Sequence, residues 1–154
     1  MIRRRCHTAG VAGVWMGEHP SPKEYSMNLA LWIAAGLLAF VALGGGVGKT
    51  FFPVEKLAAA PGGGWTAAVR PGFVRTLGGV ELLAAAGLIL PPLLGIAPAL
   101  VPVTAACWVV LMIGAIITHV RHDGWGVFVA LNVTYLLLAA FIAWGRFGPQ
   151  PFAA

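Results

Sequence analysis

Long apolar runs broken by short polar interruptions set the elements of this chain. Leu29 to Gly48 runs twenty residues without a charge. At the helical rise of about 1.5 Å per residue, that length crosses a hydrocarbon core about 30 Å thick. Gly124 to Gly145 gives twenty-two more uncharged residues. Between Glu81 and Arg121 lies one longer stretch free of Asp, Glu, Lys and Arg, with Pro91-Pro92, Gly95 and Pro98 near its middle. Paired prolines predict a turn there, and hence two spans joined by a short loop. Leu82–Leu90 alone is too short to cross, so the second span must start earlier, between Phe73 and Leu77. Glu81 then lies inside the membrane. The third span is predicted from about Pro98 to Thr118 and the fourth from about Trp125 to Trp144.

The runs are rich in Leu and Ala and show no period-2 alternation. Lipid offers no partner to an unpaired backbone group, so each span must satisfy its own hydrogen bonds as a helix. The prediction is an all-α, four-helix transmembrane bundle with a long loop between spans 1 and 2. Trp32 and Trp144 near one face and Trp125 near the other suit aromatic belts. Small residues such as Gly78, Gly79, Gly87, Ala105 and Gly114 allow close backbone approach.

Composition narrows the function classes. Apolar residues make up 59% of the 154 and charged residues only 10%, against roughly 45–50% and about 25% in an average soluble domain. Mean hydropathy is +0.86. Fifteen charged residues are too few to cover a soluble surface of this size, which argues against a soluble enzyme, a nucleic-acid binder and a disordered chain. The net charge of +5 then reads as basic residues at a membrane surface rather than as a nucleic-acid footprint.

Residues 1–26 read as a flexible N-terminal tail, 27–147 as the four-span membrane domain and 148–154 as a short C-terminal tail. The basic start at Arg3, Arg4 and Arg5 and the apolar Val11–Met16 faintly resemble a signal peptide, but the apolar part is short and Gly-rich. Whether translation begins at Met1 or Met27 stays open. Both termini share one face, called side A here. Side B receives Lys49, the loop Thr50–Gly72 and the link His119–Gly124. The loop reads as two amphipathic pieces split by Gly62–Gly64, suited to an interfacial lid, or as an ordinary solvated loop. Counting Lys49, Lys56, Arg70, Arg75 and Arg121 against the few basic residues close to the spans on side A, side B is expected to be cytoplasmic.

The polar groups within the spans carry the chemistry. A carboxylate in mid-span costs about 2.5–3.5 kcal/mol on insertion scales, so Glu81 must face the bundle or water and find a partner. Arg75 is on the same helix but about 120° away around it, which argues against a direct bond. Lys49, His119 and Asn132 each reach the side-B half from another span. Lys49, Arg75, Glu81, His119 and Asn132 are therefore the expected polar pocket, with Tyr135 one turn beyond Asn132. Each also has a plainer reading: Lys49 and Arg75 as snorkelling anchors, His119 as an interfacial histidine, Asn132 as glue between helices, Glu81 as half of a structural ion pair. The side-A half reads as nearly pure hydrocarbon.

Other chemistries fit poorly. Gly44 to Thr50 resembles a phosphate loop ending in Gly-Lys-Thr, but that motif needs a strand before it. His119, His122 and Glu81 could supply three metal ligands; the expectation is no metal. Cys6 and Cys107 form no CxxC pair and read as an exposed thiol and a buried small hydrophobe.

With these residues placed, the chain resembles the DoxX-like family of small bacterial integral membrane proteins. The matching text runs from Arg75 through Glu81 to Pro91, continues with Ala115-Ile-Ile-Thr-His119 and closes on Trp144-Gly-Arg146; the first span leading into Gly48-Lys49 also fits. The resemblance covers about Asn28 to Arg146. It implies a four-helix fold related to that of vitamin K epoxide reductase, whose cysteine pairs this chain lacks. It also implies association with redox enzymes, since the family takes its name from a subunit linked to thiosulfate:quinone oxidation. By motif, Lys49, Arg75, Glu81 and His119 carry over.

The function expected is therefore an accessory membrane subunit of a quinone-linked redox system, in a bacterial inner membrane. Its partners would be the lipid bilayer and a redox enzyme subunit, with no nucleic acid. The cofactor is left open, with a quinone as the one candidate; no catalytic residue is assigned. The alternatives are a small proton-coupled transporter that switches the charge on Glu81, and a structural or assembly protein without catalysis.

Overall fold

The computed structural model describes residues 21–152. The expected tail through residue 20, with Arg3, Arg4, Arg5 and Cys6, lies outside the described residues, as do residues 153 and 154. Among the described residues, five α-helices follow one another: α1 Pro22–Phe51, α2 Val54–Ala59, α3 Pro71–Leu94, α4 Leu100–Asp123 and α5 Val127–Phe147, with a 3-10 helix, Gly64–Ala68, between α2 and α3. Four of them, α1, α3, α4 and α5, are long and apolar enough to cross a membrane.

Helix α1 starts earlier than the apolar run, so residues 22–26 of the expected tail are helical. Ser21 and Glu24 cause this by forming a reciprocal cap. The Glu24 amide donates to Ser21 Oγ (3.3 Å) and the Ser21 amide to Glu24 Oε2 (2.7 Å). Two of the free N–H groups at the helix start are thereby satisfied, and Pro22 follows at the first helical position, where its missing N–H costs nothing.

The paired prolines do not make the turn expected of them. Helix α3 runs through Pro91 and Pro92 and ends at Gly95, in the left-handed region at φ 66°. The Ile96 amide then donates back to the Pro91 carbonyl (3.0 Å), a glycine-terminated C-cap. The prolines are tolerated because they fall in the last turn and remove only two backbone bonds. The break between spans is real, but glycine makes it a few residues later.

The inward faces are marked by size rather than polarity. On α1 the buried residues are Leu31, Ala34, Ala35, Leu38, Ala39, Ala42 and Gly46, at three- and four-residue spacing. Phe40, Leu37 and Ile33 point outward and are exposed. Small residues let the helices approach, while the larger apolar ones meet lipid. Helix α1 packs most extensively along α3, and α4 along α5. The α3–α4 seam between these pairs is looser. The core running through the bundle includes Leu38, Leu88, Val101, Trp108 and Ile142.

Candidate functional site

The inward stripe of α3 places Val74, Gly78, Glu81 and Leu88 against the bundle. Glu81 is the eleventh of the 24 residues of α3 and is buried, at 7% exposure. Lys49, in the last turn of α1, donates to both of its oxygens, at 2.9 and 2.8 Å. The ammonium is thus shared by both carboxylate oxygens, a charge-assisted geometry that offsets part of the cost of burying each group.

Glycine makes this pair reachable. A Cβ on Gly45 would fall 2.9 Å from Glu81 Oε2 and 3.3 Å from Lys49 Nζ. A Cβ on Gly78 would fall 2.6 Å from Thr50 Oγ1 and 2.9 Å from the Gly46 carbonyl. The Gly44–Lys49 run is therefore a site of close contact between α1 and α3 inside a helix, not a phosphate loop.

Beside the pair lies a cavity of about 1210 Å³ between the two helix pairs. Its walls are mainly apolar, from α3 (Leu77, Ala84) and α4 (Leu111, Met112). Lys49, Glu81, His119 and Asn132 all border it. The long loop closes over it through Leu57, Pro61 and Trp65. The loop holds two short helices, α2 and the 3-10 helix, which matches its expected division into two pieces. Gly62, at φ 72°, lies so close to Phe128 that a Cβ would come within 2.7 Å of its ring. At Gly63 a Cβ would fall on the Leu57 carbonyl. This glycine run thus holds the loop down on the start of α5.

His119 and Asn132 reach the cavity but not Glu81. The His119 Nδ1 pairs with Asp123 Oδ2 at 2.8 Å, and its ring stacks on Phe128 with centroids 5.5 Å apart. Asp123 thereby commits Nδ1, leaving Nε2 as the nitrogen a ligand could use. The Asn132 side-chain amide donates to the Phe128 carbonyl one turn back, at 2.7 Å, so it serves its own helix rather than a neighbour. Tyr135 packs against the core instead.

Arg75 does not join the group. It is exposed and is absent from the cavity wall. It follows Val74, the buried member of the stripe, by one residue, and the 100° step of the helix turns it outward. Its exposed position is the one the snorkelling-anchor reading calls for. Cys107 also departs from expectation: it is exposed rather than buried. Among the described residues, no three His, Cys, Asp or Glu side chains come together.

Two groups escaped sequence reasoning. Trp108 borders the cavity at 2% exposure, and its Nε1 has no hydrogen-bond partner among the described residues. Arg146 is buried near side A, at 6% exposure, so that half is not pure hydrocarbon. Its guanidinium carbon lies 3.9 Å from the Phe152 ring centroid and 5.8 Å from that of Trp32. Its Nη1 donates to the Gln150 carbonyl (3.2 Å). The nearby run of Trp144, Phe147 and Phe152 was the available signal, because aromatic faces stabilise a desolvated guanidinium.

The DoxX-like family model matches residues 33–142, more than two thirds of the chain. The chain belongs to the DoxX-like family. No curated protein and no solved structure matches it. The match touches all four membrane helices, from Ile33 in α1 to Ile142 in α5, and includes Lys49, Glu81, His119 and the whole loop between α1 and α3. This DoxX-like protein is accordingly an integral, multi-pass protein of the bacterial membrane.

Proposed function

We propose that this DoxX-like protein is an accessory membrane subunit of a quinone-linked redox system, and that its cavity receives the quinone head. The carrying observation is the cavity itself, which combines mainly apolar walls with a few convergent polar groups. At about 1210 Å³ it exceeds the roughly 300–1,000 Å³ of common small-molecule pockets. It has room for a substituted ring and the first units of an apolar tail.

The residues suit such a guest. The Lys49–Glu81 pair and His119 put proton-bearing groups on the wall, and most of the remaining lining is apolar. A bound quinone would supply two-electron, two-proton acceptor chemistry, with electrons from a partner enzyme. The chain itself would hold and orient the head, carry protons at Glu81 and His119 Nε2, and keep bulk water out under the Gly62–Gly63 lid.

The reading is tested by titrating decylubiquinone into the protein in lipid nanodiscs and following tryptophan fluorescence. Saturable quenching at micromolar concentration is expected. Affinity purification from the native membrane should bring down a redox enzyme subunit. Linear, unsaturable quenching together with purification of the chain alone would leave a structural or transport role instead.

A further inference from the structure

One face of α4 is exposed along most of its length and still forms a wall of the cavity. Val103, Cys107, Val110, Gly114, Ile117 and Arg121 recur at alternating four- and three-residue steps. All six are exposed, and all six border the cavity. Such spacing holds them in one stripe of the helix. The stripe runs roughly 27 Å by helical rise, close to the about 30 Å of the hydrocarbon core. On the α3 side Phe73, Val80 and Leu83 are likewise exposed and on the wall. The cavity is thus roofed toward water by the loop and open sideways, as a groove along the loose α3–α4 seam. A groove in that position is filled from the bilayer.

The charges at its side-B mouth say what fills it. Lys56, Arg121 and His122 are exposed there and border the cavity. Lys49, the other cation on the wall, is neutralised by Glu81, and Asp123 is taken by His119. Lys56 and Arg121 have no carboxylate partner among the described residues. Two unmatched cations above an apolar groove complement an amphiphile with an anionic head, and the guanidinium fork suits a phosphate. A second copy of the chain packed side by side on this face would bring the same cations together at one depth. Like charges disfavour that contact.

We infer that the α3–α4 groove binds one anionic phospholipid, with its phosphate held by Lys56 and Arg121 and one acyl chain lying along Ile117, Gly114 and Val110. The lengths agree. Half of the hydrocarbon core is about 15 Å, and Val110 lies eleven residues before Arg121, roughly 16 Å by helical rise. Gly114 sits in the middle of that path, where a Cβ would meet nothing within 4 Å, so the groove has room at this level. The inference does not rest on the quinone reading, since it uses the two cations that the reading leaves without a role.

The experiment is native mass spectrometry of the full chain in mild detergent, titrated with phosphatidylglycerol or phosphatidylcholine. One phosphatidylglycerol per chain should be retained, in preference to phosphatidylcholine. Replacing both Lys56 and Arg121 with Gln should weaken its binding about thirtyfold, or about fivefold for each basic residue at a membrane surface. Replacing Arg70 and Arg75 with Gln removes the same charge from exposed positions off the cavity wall and should leave binding unchanged. Gly114→Leu keeps both cations and fills the groove, so it too should release the lipid. Inorganic phosphate in large excess should not displace the lipid, which separates a lipid head from a free anion. Equal retention of phosphatidylcholine, equal losses in the two double variants, displacement by phosphate, or full binding to Gly114→Leu would each overturn the inference. So would a lipid-free dimer that Gly114→Leu breaks, which would give the groove to a second copy. If the Lys56 and Arg121 double variant does not fold, the lipid preference of the wild-type chain and the Gly114→Leu result decide.

Discussion

Each end of the bundle holds a cation at least partly away from solvent, and the two ends neutralise it differently. Toward side B, Lys49 faces a carboxylate from another helix and both border an open cavity. Toward side A, Arg146 is covered by the aromatic faces of Phe152 and Trp32, with a backbone carbonyl for one N–H. The ammonium is a compact, strongly hydrated point charge and needs an anion or water. The guanidinium is planar and weakly hydrated, so it can stack and be sealed in. The side-B pair keeps exchangeable protons next to a space, whereas the side-A stack closes a seam and pins residues Gln150 and Phe152 onto α5 and α1. Polar groups in a membrane bundle are thus not one signal. The carboxylate is what separates a site from a staple.

The largest effect should come from breaking the pair. Glu81→Gln leaves Lys49 mostly buried with no anion. We expect a loss of about 3 kcal/mol in detergent denaturation, at the low end for a buried pair because Lys49 keeps some exposure. Replacing both members with apolar residues should recover most of that loss. A Gln variant as stable as the parent would mean that the pair contributes nothing to folding.

Next comes the helix contact that positions the pair. Gly78→Ala should destabilise by about 2 kcal/mol, because the new methyl meets the Gly46 backbone and not only a flexible tip. Gly36→Ala, on the same helix as Gly46 but with open space around its Cβ position, should instead stabilise by about 0.5–1 kcal/mol through helix propensity. Equal behaviour of the two variants would remove the close-approach argument.

Arg146→Lys tests the aromatic end. It retains the charge and loses the planar stack, so melting should report a loss of about 1–2 kcal/mol. Ligand binding at the cavity should be unaffected. If Lys substitutes without cost, the stack is incidental. Arg75→Gln is the smallest change, expected within about 0.5 kcal/mol of wild type in stability, as for an exposed side chain with no partner among the described residues. A large loss of stability or of quinone binding in that variant would return Arg75 to the pocket.

The sequence by itself determined the four spans, the membrane class and the buried position of Glu81. Hydrocarbon thickness sets a minimum run length, and a carboxylate within that run must turn inward. It also carried Lys49, His119 and Asn132 to the side-B half, because depth follows directly from residue count. Which way each side chain turns at that depth was left to tertiary structure. Lipid makes the outer face as apolar as the core, so polarity cannot mark the inside of these helices as it does in a soluble bundle. One helical step puts Val74 in the core and Arg75 outside it. Only the close approach of α1 to α3 at Gly45, Gly46 and Gly78 chose Lys49, rather than His119 or Asn132, as the partner of Glu81. Only the folding back of the chain end onto Trp32 buried Arg146, and only the gap between the two helix pairs gave Trp108 a cavity to border. Local spacing fixes what must be hidden from lipid, whereas contacts between helices far apart in sequence decide what each hidden group meets.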